Sequence, residues 1–94
     1  MSGIGPRAVV LGFPDYRSQA ERFAAAAGVP YDDIRLHRFP DGESLLRLPE
    51  AVPEHVILCR TLTDANRRLI ELELAAATAR RLGAKRVTLV APYL

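Results

Sequence analysis

Cysteine is almost absent from this chain: Cys59 is the only one in 94 residues. No disulfide can form within it, and a reducing, cytoplasmic setting is the expectation. Histidine is equally scarce. His37, His55 and Cys59 form no close-spaced set, so no zinc site is expected and no residue is assigned to a metal. Tryptophan is missing, which leaves three tyrosines and three phenylalanines for stacking. A single lysine, Lys85, stands against twelve arginines, at a formal charge of +2 and a pI near 9.1. Arg67, Arg68, Arg80, Arg81 and Arg86 are interleaved with Glu71 and Glu73, the pattern of a solvated helix face, so no nucleic-acid partner is expected. No apolar run approaches the roughly 20 residues that span a membrane. Residues 1–7 lack the apolar centre of a secretory signal, so no membrane partner is expected either.

What is there is ordinary for a folded domain. Apolar residues make up 49% and charged residues 26% of the chain, which excludes disorder. The length suits one small domain that buries roughly 60–68% of its unfolded surface. It leaves little room for both a core and a complete multi-substrate active site. The expectation is a part of something larger.

Residues 7–12 are an apolar run ending in Gly12 and read as a buried strand. Phe13-Pro14-Asp15-Tyr16 reads as a loop. Ser18 and Glu21 have the spacing of a capping box, with Ala20, Phe23, Ala24 and Ala27 on one face of a helix over 18–27. Gly28 suits the left-handed position after it, and Pro30 prevents resumption. Residues 33–39 read as a second strand and 44–48 as its return, a β-hairpin at 34–48 signalled by Asp41-Gly42. His55 opens an apolar strand over 55–60. Residues 61–64 offer polar caps for a long helix over 65–82. There Leu69, Leu72, Ala76 and Ala79 form one stripe, widened by Ile70, Leu74 and Ala77. Gly83 ends that helix, and residues 86–91 are a last buried strand before Pro92-Tyr93-Leu94. Apolar strands alternating with helices predict an α/β fold with a mostly parallel sheet.

Chemistry-bearing motifs are few. There is no G-x-x-x-x-G-K-[ST], and Gly3 and Gly5 precede the first strand instead of following it. Gly12 reads as turn chemistry. No Gly-x-Ser-x-Gly elbow is present; Ser18 serves as a cap and Ser44 lies beside the hairpin. Cys59 reads as an inert buried thiol, and His37 and His55 as structural or solvent-facing. No catalytic residue is assigned. The loop Arg38-Phe39-Pro40-Asp41-Gly42-Glu43 remains. On bare physics it is a plain hairpin turn. It also brings an aromatic ring and two carboxylates to one tip. Phe39 could stack on a planar base, and Asp41 and Glu43 could accept hydrogen bonds from an amino group or a ribose hydroxyl.

That loop resembles the N-terminal motif of the ribose-phosphate pyrophosphokinases, or phosphoribosyl pyrophosphate synthetases. The resemblance continues in residues 52–59, in Asn66 to Leu72 (an Asn-x-x-Leu-x-Glu-Leu helix start), in Gly83-Ala84-Lys85-Arg86-Val87, and in Val90-Ala91-Pro92-Tyr93. It covers the chain from about Val9 onward. It implies a phosphoribosyltransferase-like α/β fold, with residues 1–94 as the first part of an N-terminal domain. It further implies transfer of the β,γ-diphosphate of ATP to the C1 hydroxyl of ribose 5-phosphate with Mg²⁺, and a homodimer or higher homo-oligomer. Matched residue by residue, Phe39, Asp41, Gly42 and Glu43 would contact the adenine side of a partner subunit's ATP.

Departures matter as much. The family's Pro-Tyr pair is followed by a Tyr-Ala-Arg-Gln-Asp-like stretch, a metal-binding His, a flexible catalytic loop and an Asp-rich ribose-phosphate loop. The sequence stops at Leu94, and Arg67 stands where the family often has an acidic residue. The Mg²⁺ ligands are therefore expected beyond residue 94, and the 94-residue chain alone is expected to be inactive and to self-associate through an exposed sheet edge. The alternatives are a non-catalytic regulatory or association subunit of the same family and a stand-alone nucleotide-binding module.

Overall fold

A two-residue period decides the sheet. A computed structural model of the chain describes residues 8–41, 44–61 and 65–91. Within these, β1 (Ala8–Gly12), β2 (Tyr31–Asp33), β5 (His55–Cys59) and β6 (Arg86–Val90) form a parallel sheet in the order β2-β1-β5-β6. A hairpin of β3 (Arg35–Arg38) and β4 (Ser44–Arg47) forms a separate two-stranded sheet. Helices α1 (Arg17–Ala27) and α2 (Ala65–Arg81) cross between parallel strands. The expected α/β class, hairpin and helix positions all appear.

Alternate residues of β1 and β5 go to opposite faces. Val10, Ile57 and Cys59 pack with Tyr16, Ala20 and Ala24 beneath α1. Leu11, Val56 and Leu58 pack with Leu72, Ala75 and Ala79 of α2, and with Ile34 and Leu48 from the ends of the hairpin. The alanines at these positions let each helix lie close to the sheet. Both helices end alike. The amides of Gly28 and Val29 return to Ala25 O and Ala24 O, and those of Gly83 and Ala84 to Arg80 O and Ala79 O. Gly28 has φ 71° and Gly83 φ 118°, while the residue after each, Val29 or Ala84, is buried in the core.

Four sequence expectations are corrected. Residues 33–39 are two strands: Tyr31–Asp33 pairs with β1, and Ile34 turns into the core before β3 begins. Tyr-Asp-Asp carries no apolar pattern, so only its pairing marks it as an edge strand. The hairpin link is the five-residue stretch 39–43, one residue longer than the 40–43 link expected, because β3 ends at Arg38, which pairs with Ser44; Gly42 and Glu43 lie outside the described residues. Ser18 does not cap α1. A 3-10 turn opened by Pro14 runs straight into the helix, Arg17 is already helical, and Tyr16 occupies the cap position without a side-chain capping hydrogen bond. Finally, α2 turns Glu71, Leu72, Ala75 and Ala79 inward and leaves Leu69, Ile70 and Leu74 exposed.

Gly12 is more than turn chemistry. A Cβ there would sit 2.6 Å from Tyr31 Oη and 2.8 Å from Ala20 Cβ, so the glycine admits both α1 and the Tyr31 ring. Gly12→Ala is expected to cost about 1–3 kcal/mol in urea unfolding. Tyr31→Phe should not rescue it, since Tyr31 Cε1 also lies 2.9 Å from that Cβ position.

Candidate functional site

The strand β1 leads through α1 to β2 on one side, and β5 leads through α2 to β6 on the other. The order therefore reverses between β1 and β5, whose carboxyl ends are the usual ligand crevice of an open α/β sheet. Gly12 and Cys59 are register partners there. The next residue on each strand, Phe13 and Arg60, keeps the parity of Leu11 and Leu58 and so turns to the α2 face. They meet: the Arg60 guanidinium carbon stands 4.0 Å over the centre of the Phe13 ring. Both side chains are fully buried.

A charge at that depth needs partners. Arg60 Nη2 donates to Asp15 Oδ2 at 2.9 Å, and Nη1 lies 2.9 Å from Glu71 Oε1 and 3.4 Å from Arg68 O. Among the described residues, its Nε is a buried side-chain polar atom with no hydrogen-bond partner. Asp15 comes from the turn that Pro14 fixes, and its Oδ2 also faces Arg68 Nη2 at 3.4 Å. Glu71, 1% exposed, receives a second guanidinium from the hairpin: Arg38 Nε donates to Oε2 and Nη2 to Oε1, each at 3.2 Å. The hydrogen bond to Glu71 is the main reason that the Arg38 guanidinium is held above its ordinary pKa. Asp15, Arg38, Arg60, Arg68 and Glu71 thus join four segments at one end of the sheet.

Sequence reasoning missed this cluster. Their interleaved charges predict a solvated helix face for Glu71 and Arg68, yet Glu71 is buried and Arg68 largely so. The available signal was parity: Arg60 continues the inward positions of β5, and Glu71 lies four residues before the buried Ala75.

The residues singled out from the sequence lie at the hairpin tip. Phe39 is 42% exposed, with the His37 ring edge-on at a centroid distance of 4.5 Å and an interplanar angle of 73°. Asp41 is exposed, and Arg38 anchors the strand immediately before the tip. Gly42 and Glu43 belong to this loop but lie outside the described residues. Cys59 is buried beneath α1, away from the tip, and burial raises its thiol pKa. His55 Nε2 is 2.8 Å from Thr88 Oγ1 at the amino end of the sheet. Among the described residues, no group of three or more His, Cys, Asp or Glu could hold a metal ion, and no helix is long and apolar enough to cross a membrane.

Removing Arg60 would leave Glu71 and Asp15 without their shared cation. Arg60→Met is expected to cost about 3–5 kcal/mol in chemical denaturation. Arg60→Met combined with Glu71→Leu should cost less than the two separate losses together. Alkaline behaviour follows from two raised pKa values. Burial raises the Cys59 thiol above its ordinary 9.0; burial and then the 2.8 Å hydrogen bond donated to Asp33 raise the Tyr31 phenol above its ordinary 10.0. Each group keeps its proton longer folded than unfolded, so its contribution is full below the unfolded pKa and is lost as pH rises above it. Unfolding stability should therefore fall above about pH 9, and Cys59→Ala should flatten the first part of that fall.

The family model for the N-terminal domain of ribose phosphate pyrophosphokinase matches residues 8–94. A ribose-phosphate pyrophosphokinase of Saccharolobus solfataricus is 34% identical over 88 residues, which cover 92% of this chain and 30% of that protein. One from Halobacterium salinarum is 38% identical, over 83% of this chain and 28% of its own length. Ribose-phosphate pyrophosphokinase 1 of Spinacia oleracea is 34% identical, over 79% of this chain and 23% of its own. The chain spans less than a third of the length of these relatives. By the family-model match, by these relatives and by an α/β architecture that agrees with both, the chain belongs to the ribose-phosphate pyrophosphokinase family, in its N-terminal domain.

Proposed function

We propose that this chain forms the nucleotide-contacting part of a ribose-phosphate diphosphokinase. Such an enzyme joins the C1 hydroxyl oxygen of ribose 5-phosphate to the β-phosphorus of ATP, breaks the bond from that phosphorus to the α-phosphate bridge, and releases AMP. The observation that carries the reading is the hairpin tip. Phe39, an aromatic ring with nearly half its surface in solvent, is set edge-on against His37 at the end of an anchored strand. An exposed ring braced in this way is suited to stack on a planar base. Asp41 follows two residues on, where a carboxylate accepts hydrogen bonds from an amino group or a ribose hydroxyl. Gly42 and Glu43 complete the motif on sequence grounds.

In this reading the tip contacts the nucleotide bound by a second copy, so the protein works as a homodimer or higher homo-oligomer in the cytoplasm. Diphosphate transfer belongs to the longer protein, and the 94-residue chain alone is inactive. Mg²⁺ would neutralise the polyphosphate. No residue of this chain is given the role of its ligand.

In the protein that carries this domain, Phe39→Ala should weaken ATP binding about tenfold, the lower part of the range for a base stacked on an aromatic side chain. Asp41→Ala should also weaken ATP more than ribose 5-phosphate. Calorimetric titration with each substrate checks both, and equal losses for the two substrates would mark a folding defect and defeat the reading.

A further inference from the structure

Among the described residues, the hairpin shares no backbone ladder with the four-stranded sheet. A two-stranded hairpin is marginal by itself, so side chains must hold it in place. On the inward face these include Leu46, packed against the core with the adjoining Leu48, and Arg38 on Glu71. Apolar contact is non-directional. The two-toothed guanidinium–carboxylate pair is directional and fixes an orientation as well as a distance. The two ends of that pair are unequal. Glu71 is 1% exposed and is also gripped, through Oε1, by the fully buried Arg60; the Arg38 side chain is 42% exposed. The fixed end is therefore the core, and the end being held is the hairpin, one residue before Phe39.

We infer that Glu71 is a positioning residue: gripped by Arg60, it holds Arg38, and through Arg38 it sets where the tip presents Phe39. This rests on the reading of the tip as a nucleotide contact. Glu71 touches no substrate in this role. It acts through two arginines, one from β3 and one just past β5, so the placement of the tip depends on the charge cluster at the switch point of the sheet.

The test uses Arg38→Met in the protein that carries this domain. The substitution keeps an unbranched apolar side chain at position 38 and leaves the Arg60–Glu71 pair closed, so folding should persist. Hydrogen exchange of the hairpin amides, residues 35–38 and 44–47, should quicken about tenfold while that of β1 and β5 stays as in the parent. ATP affinity should fall about fivefold with ribose 5-phosphate affinity unchanged. Arg38→Lys should recover part of the loss, since it restores charge without the fork. Glu71→Gln, if folded, should show the same split between the two substrates. Unchanged hairpin exchange in Arg38→Met would overturn the inference. So would unchanged ATP affinity in Arg38→Met when Phe39→Ala does weaken ATP binding. If Phe39→Ala leaves ATP affinity untouched, the nucleotide reading itself fails, and hairpin exchange alone then judges whether the clamp sets the tip.

Discussion

The guanidinium of Arg60 is the group around which this half of the molecule is arranged. A buried charge of this kind costs several kcal/mol in lost hydration, and only well-placed partners offset it. Here they come from everywhere the chain passes. Asp15 arrives from the turn after β1, Glu71 from α2, and the Phe13 ring from the end of β1. Each partner is where it is because a separate rule put it there. Strand parity turns Phe13 and Arg60 to one face, Pro14 shapes the turn that carries Asp15, and helical spacing puts Glu71 over the same face as Ala75. Glu71 also accepts both hydrogen bonds that Arg38 donates, and the hairpin is drawn into the same set of charges.

This arrangement gives a small α/β unit two kinds of order. The two apolar layers, α1 over Val10 and Ile57 and α2 over Leu11 and Leu58, fix the sheet by area and packing. The polar cluster fixes direction at one end of it. The amino end is held differently, by the amides of Lys85 and Arg86 on Glu54 O and by the His55–Thr88 contact, and among the described residues it holds no comparable buried charge. The asymmetry agrees with the general rule that ligands meet open α/β sheets at the carboxyl ends of the strands.

Much of the fold was legible from residue pattern. The apolar runs at β1 and β5, the glycines that end both helices, and the hairpin all rest on local rules of two-fold and 3.6-fold spacing and on backbone freedom. The misreadings share one cause: each involved a choice that only neighbours make. Tyr31–Asp33 is a strand because β1 offers it an edge, with Gly12 leaving room for its tyrosine. Leu69, Ile70 and Leu74 are as apolar as Leu72, and which of them faces the sheet depends on how α2 is rotated over it. The candidate tip residues Phe39 and Asp41 were recognisable by type and spacing. The charge cluster behind them was not, because its members are far apart in sequence and individually look like surface charges.

By itself, then, the sequence determined the class of fold, the ends of the helices, the burial of Cys59 and the family likeness of the hairpin loop. These depend on what a residue does to its own backbone or to neighbours within a few positions. The tertiary structure decided that Arg60 and Glu71 are buried, that Asp15 and Arg38 meet them, and that the hairpin tip is tied to the core through a charge pair. Charged side chains stay in water unless opposite charges from other segments surround them, and that meeting is a property of the folded chain alone.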